Sequence, residues 1–287
     1  MEKSRVIDVY RNNTDRYGAI VEDHFDSVWD DILNELNISD NYKILDLGCG
    51  TGKTINRIMN KHKQHALDFT GIDLCLEMIA KAKERLEKNE TNGHQIILHA
   101  EDCLDYLKSC EENKYHLVIA SFFLAYVEAA KLFPLVNKTL KEEGKFIILT
   151  TSGDPSITNY EKDFLKFAVS HFFCFNWWTF LITKRHLVPP IETIIKLLAG
   201  ASFSIIKADK LMIKIPFKDP LSFFKWMDES GFAAGFFDVV KKSKKEFLLN
   251  EAMHYLEEKN ITFMGEPLKN GKPFTFNWPI YKIIAEK

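Results

Sequence analysis

The segment Lys43-Ile44-Leu45-Asp46-Leu47-Gly48-Cys49-Gly50-Thr51-Gly52 constrains the fold more than any other part of the chain. An apolar, strand-forming run leads directly into three glycines at alternate positions, and a helical pattern starts at once. Glycines at such a junction let the backbone turn sharply and approach a ligand with no Cβ in the way. The surrounding chain agrees with that opening. From Tyr42 to Thr151, short apolar runs alternate with amphipathic segments, the signature of a parallel sheet covered by helices. The pattern predicts strands at Lys43–Leu47, Phe69–Asp73, Ile96–His99, His116–Ala120 and Lys145–Thr150. It predicts helices at Gly52–Asn60, Leu76–Lys88, Asp102–Lys108 and Ala130–Lys141. Right-handed crossovers then place the C-terminal ends of the strands along one edge, where ligands bind at the switch point of such sheets.

The chemistry of the loop narrows the ligand. A dinucleotide fingerprint reads G-x-G-x-x-G around a pyrophosphate at a helix N-terminus. Here the third glycine comes one residue earlier, and Lys53 stands where that pattern needs Gly or Ala. Asp46 ahead of the loop would repel a pyrophosphate yet suits a ligand carrying an ammonium group. The P-loop pattern does not occur at this strand end.

The run D-x-G-x-G-x-G resembles the first motif of class I S-adenosylmethionine-dependent methyltransferases. That resemblance implies a Rossmann-like α/β fold: a seven-stranded, mostly parallel sheet with helices on both faces, an N-terminal helical lid and a helical insertion after strand five. It implies S-adenosyl-L-methionine as cofactor and methyl transfer to an O or N atom of a small-molecule acceptor. Asp46 would face the methionine ammonium, with Gly48, Cys49, Gly50 and Gly52 shaping the loop. Asp73, closing the second strand, would accept the ribose hydroxyls, flanked by Leu74 and Met78; capping the following helix is the structural alternative for this residue. Asp102 would take the adenine amino group, with Glu101 as the alternative register and Cys103 beside it. Ser121, Phe122 and Tyr126 would lie near the sulfonium, and the lid would contribute Tyr17, with Tyr10 seven residues earlier. Leu140-Lys141-Glu142-Glu143-Gly144-Lys145 resembles the family's turn into strand five, with two departures.

The acceptor side is less determined. Methyl transfer from a sulfonium needs alignment and exclusion of water, plus a base only where the acceptor carries a proton. Phe123, Phe167, His171, Phe175 and Trp178 are candidates for the acceptor pocket, drawn from the fourth strand's end and the aromatic stretch 164–180. His171 and Tyr17 are the catalytic candidates, ahead of His99 and His254. The family's nucleic-acid and protein-amide members carry an Asn- or Asp-Pro-Pro-Tyr motif after strand four. This chain reads Ser121-Phe122-Phe123-Leu124 there, which disfavours such targets. The C-terminal third, with Trp226 and Lys272 to Pro279, resembles trans-aconitate, biotin-pathway carboxyl and histamine methyltransferases. The rival readings are a nicotinamide-dependent oxidoreductase and a non-catalytic protein that binds the cofactor in a regulatory role.

Bulk properties bound the partners. A net charge of −2 over 287 residues provides no field to hold a polyanion, and the Lys241–Lys245 run reads as a solvated helix start. Cys49, Cys75, Cys103, Cys110 and Cys174 include no C-x-x-C pair, so no metal site is expected and the thiols read as reduced, cytoplasmic ones. No window has the roughly 18–20 uncharged apolar residues of a membrane span. The expectation is a single domain over 1–287, monomeric or homodimeric: a lid at 1–40, a cofactor core at 41–151, an aromatic insertion at 152–200 and a completing region at 201–287.

Overall fold

Strand β1 (Tyr42–Leu47) is buried on both faces over its last four residues, as a central strand of a parallel sheet must be. The computed structural model describes residues 22–87, 93–152, 188–229 and 271–287, together with positions 7, 10, 11, 242–244, 247, 250, 251, 254, 262, 263, 266 and 267. Parallel neighbours flank β1 on either side, β2 (Leu67–Asp73) and β4 (Tyr115–Ser121). Beyond them lie β3 (Gln95–Ala100) and β5 (Leu140–Thr151). β6 (Ser204–Phe217) and β7 (Phe274–Glu286) complete a seven-stranded sheet in the order β3-β2-β1-β4-β5-β7-β6, in which β7 runs antiparallel to both its neighbours. The strand order reverses between β1 and β4, so the crevice of this sheet opens beyond their C-terminal ends.

Period-two alternation sends side chains to two cores. Ile44, Ile147 and Leu149 join a cluster with Trp29 and Ile32 of α1 (Asp26–Asn34), Ile55, Ile58 and Met59 of α2 (Lys53–Lys61), and Ile79 and Leu86 of α3 (Leu76–Glu87). Leu45, Leu47, Phe146 and Ile148 face the other way. They pack with Leu107 of α4 (Cys103–Ser109), Leu132, Phe133 and Val136 of α5 (Ala129–Thr139), and Ile191, Ile194 and Leu198 of α6 (Ile191–Gly200). Each helix presents apolar residues three and four apart, the spacing that aligns them on one stripe. α7 (Pro220–Glu229) adds Phe223 and Trp226 to the first core, against Phe276 and Trp278 of β7. Truncating a fully buried aromatic of this set, such as Trp29, would cost about 3–5 kcal/mol.

The alternating α/β pattern read from the sequence is present, with local corrections. Within the segment expected as a lid at 1–40, a 3-10 turn over Glu22–Phe25 leads into α1. β5 begins at Leu140 rather than after the expected turn. Glu143, at φ 62°, lies inside the strand, and the pairing jumps from Tyr115↔Leu140 to Leu117↔Lys145. The residues between are thus absorbed as a bulge, which bends a strand and interrupts its ladder locally. The aromatic stretch 164–180 lies outside the described residues. Among the described residues, no helix is long and apolar enough to cross a membrane, and no group of three His, Cys, Asp or Glu side chains could hold a metal ion.

Candidate active site

A cavity of about 250 Å³ lies at the C-terminal ends of β1, β2, β3 and β4, under the N-terminal segment. Its floor is the glycine loop. Gly48 and Gly50 adopt φ of 69° and 53°, a left-handed conformation that costs other residues about 1–2 kcal/mol. The loop is held from below, where Gly48 N–H and Cys49 N–H both donate to the Ile72 carbonyl, at 2.8 and 3.0 Å. A Cβ at Gly48 would stand 2.5 Å from the Phe123 ring, whereas one at Gly50 would meet no atom within 4 Å. Gly50 therefore presents bare backbone to the open cavity. Gly52 has another job: at φ 75° it starts α2 and packs against Ala82 and Leu86 of α3, away from the cavity wall.

Asp73 ends β2 under the loop. Its Oδ2 accepts from Gly50 N–H at 2.9 Å and its Oδ1 from Cys75 N–H at 2.8 Å. Burial raises its pKa above the usual carboxylate value, and those backbone donors offset only part of the rise. Each carboxylate oxygen carries a second lone pair, so Asp73 ties the loop to the next helix and still offers acceptors to a diol. Capping and ligand roles are thus compatible in one residue. Asp102 also lines the cavity, as the N-cap of α4; its Oδ1 accepts from Leu104 and Asp105 N–H at 2.9 and 3.2 Å. Glu101, Cys103, Leu74 and Met78 belong to the same wall.

The opposite wall forms where β4 ends. Phe122, at φ 52°, is a bulky residue in the left-handed region, a strain that persists only where surroundings enforce it. Its ring is pinned 4.4 Å from Phe25 and 5.4 Å from Trp278. The reversal sends Phe122 to one core and Phe123 to the other, over Gly48. Tyr126 follows in a 3-10 turn, and its hydroxyl lies 2.5 Å from that of Tyr10 in the N-terminal segment. Burial raises the Tyr126 pKa, so the phenol stays protonated at neutral pH. Arg11 Nε donates to Glu77 Oε1 at 2.6 Å, tying the same segment to α3.

Of the residues singled out in the sequence, Gly48, Cys49, Gly50, Asp73, Leu74, Met78, Glu101, Asp102, Cys103, Ser121, Phe122, Phe123 and Tyr126 line this one cavity. Gly52 and Asp46 do not. Asp46 is buried at 1% exposure; burial first, and then the charge of Asp46, holds the Cys49 thiol pKa well up. Tyr17, Phe167, His171, Phe175 and Trp178 lie outside the described residues, whereas Tyr10 stands on the wall. His99 is off the wall, 3.5 Å from Glu101. Phe25, Trp29, Thr54 and Arg57 were missed as site residues. No local motif marks Arg57, which pairs with Asp26 across the chain.

Comparison with known proteins adds to this geometry. Residues 38–189 match a family model described as a methyltransferase domain. Phosphoethanolamine N-methyltransferase of Plasmodium falciparum is 32% identical over 120 residues, covering 41% of this chain and 42% of that enzyme. Malonyl-[acyl-carrier protein] O-methyltransferase 2 of Ilyobacter polytropus is 26% identical over 147 residues, covering 51% and 48%. The chain thus spans less than half the length of these two relatives. Among solved structures, phosphoethanolamine N-methyltransferase 2 of Haemonchus contortus, in complex with phosphomonomethylethanolamine and S-adenosylhomocysteine, superposes with a TM-score of 0.57 at 15% identity, over 98% of this chain and 59% of that one. At that identity the likeness is one of fold.

Proposed function

The chain belongs to the methyltransferase-domain family, and from that premise we propose that it transfers a methyl group from S-adenosylmethionine to an oxygen or nitrogen atom of a small-molecule acceptor. The observation that carries this reading is the open face of Gly50 above Asp73. Bare backbone and a diol-accepting carboxylate meet at the floor of one cavity. These residues fit a nucleoside donor: Asp73 for its ribose, Glu101 or Asp102 for its adenine amino group, and the glycine loop for its amino-acid tail. When bound, the donor supplies an electrophilic methyl on a sulfonium.

The chain's own residues then align and exclude. Phe122 and Phe123, locked in place by Trp278, Phe25 and Gly48, form an apolar wall where β4 ends, and Tyr10 closes over it through Tyr126. Alignment of reacting atoms and removal of water are the main services an in-line displacement requires. A protonated Tyr126 is a neutral hydrogen-bonding partner of Tyr10 rather than a base. The N- and O-methyltransferases among the relatives support both kinds of acceptor atom. Calorimetric titration with S-adenosylmethionine and S-adenosylhomocysteine tests the donor. Release of S-adenosylhomocysteine in the presence of phosphoethanolamine, amines and carboxylic acids tests the acceptor. Absence of any heat with either nucleoside would overturn the proposal.

A further inference from the structure

The bulge between β4 and β5 brings two donors face to face. Register jumps from Tyr115↔Leu140 to Leu117↔Lys145, so His116 has no partner residue on β5. Its ring instead stacks on Tyr42, with centroids 4.5 Å apart and 19° between the planes, and its Nδ1 accepts from Lys43 N–H at 2.8 Å. A neutral imidazole has one acceptor nitrogen, so that bond places the ring proton on Nε2. Nε2 lies 2.9 Å from Nζ of Lys141, at the start of the bulge. An ammonium donates and cannot accept. Two partly buried donors thus meet head to head, and both need an acceptor.

The local charge points the same way. Burial lowers the His116 pKa, and the charges of Lys141 and Lys43 lower it further. Among the described residues neither lysine has a carboxylate within ion-pair distance: Asp68, level with Lys43 on β2, makes no ion pair with it, and Glu142 of the bulge pairs with Lys287 at 3.5 Å. We infer that His116 and Lys141 bind a small phosphate-type oxyanion, with Lys43 adding to the attraction. One such anion accepts from Nε2–H and from the ammonium at once, turning an opposed pair into two charge-assisted bonds. The site lies where β1 and β4 begin, at the end of the sheet away from the donor cavity, so its test does not involve the donor.

Inorganic phosphate is compared with chloride at equal ionic strength, near neutral pH, by thermal melts and by NMR titration of the His116 ring, identified by its loss in His116→Asn. Phosphate is expected to raise the wild-type melting temperature. It is also expected to move the His116 titration to higher pH, since a nearby anion favours the imidazolium. Lys141→Gln should weaken phosphate binding about tenfold or more. The same variant should be no less stable than wild type in chloride, because the Gln amide oxygen accepts from Nε2–H where the ammonium cannot. Lys108→Gln, at an exposed lysine on α4, should bind phosphate as the wild type does. A melting temperature or a His116 titration that phosphate leaves unchanged overturns the inference. So does an equal loss in Lys108→Gln and Lys141→Gln, which marks a diffuse salt effect. A Lys141→Gln protein clearly less stable than wild type in chloride overturns it as well, by removing the opposed donors.

Discussion

Alanine at Gly48 and alanine at Gly50 place the same methyl group in two environments two residues apart. Both substitutions force an L side chain to positive φ, at 69° and 53°, at a cost of about 1–2 kcal/mol each. At Gly48 the new carbon would also stand 2.5, 3.0 and 3.2 Å from Cδ2, Cγ and Cβ of Phe123. Those atoms lie close to the backbone, so the ring cannot swing clear by its outer torsion alone. Overpacking of this kind adds roughly 1–3 kcal/mol, which brings Gly48→Ala to about 2–5 kcal/mol. Gly50→Ala should stay near about 1–2 kcal/mol, because its methyl meets no atom within 4 Å. Urea denaturation with an unchanged m-value measures both losses. Calorimetry should rank binding the other way relative to stability: Gly50→Ala, though the more stable variant, loses about tenfold or more in donor affinity because its methyl fills the donor's seat. Adding Phe123→Ala to Gly48→Ala should recover part of the clash, a non-additivity expected only of touching groups. Equal stability losses would refute the packing argument, and undiminished binding by Gly50→Ala would refute the placement of the donor.

Asp73→Asn should lower donor affinity by about tenfold. Because burial raises the folded-state pKa of Asp73, wild-type donor affinity should also decline on acidification at a pH above the usual carboxylate range, and the variant should lack that decline. The linked stability has the opposite sense: the contribution of this group is full below its unfolded pKa near 3.8 and is lost as pH rises through the higher folded value, visible in melts of wild type against variant. Tyr10→Phe and Tyr126→Phe should show a coupling of about 0.5–1.5 kcal/mol in a double-mutant cycle on stability; additive losses would separate the two hydroxyls. Phe122→Gly should be less destabilised than Phe122→Ala by about 1 kcal/mol, since glycine alone relieves the strain at φ 52°; the reverse order in denaturation would show that no strain is stored there.

The half of the cavity assigned to the donor in the proposal was legible as a cluster because its parts are local. A glycine loop acts through its own backbone, and the acidic residues closing β2 and following β3 are fixed to the loop by parallel register, which pairs Asp46↔Gly71 and Asp73↔Ala100. Strand and helix periods sufficed for that register, and with it for the alternating architecture. The bulge in β5 was not legible, since the Leu140-to-Lys145 run is equally compatible with a turn and the choice is made by pairing with Tyr115 and Leu117.

The amino-acid sequence by itself determined the class of fold and the backbone loop at its centre, because both depend on interactions between residues close in the chain. Only the tertiary structure decided the walls. Phe25 and Trp278 converge on Phe122 from positions far apart in sequence, Tyr10 meets Tyr126 across 116 residues, and Asp26 meets Arg57 across 31. It also left Asp46 and Gly52 behind the wall of the cavity rather than on it. Such contacts join segments far apart in the chain, and no local period encodes which side chains will face one another there.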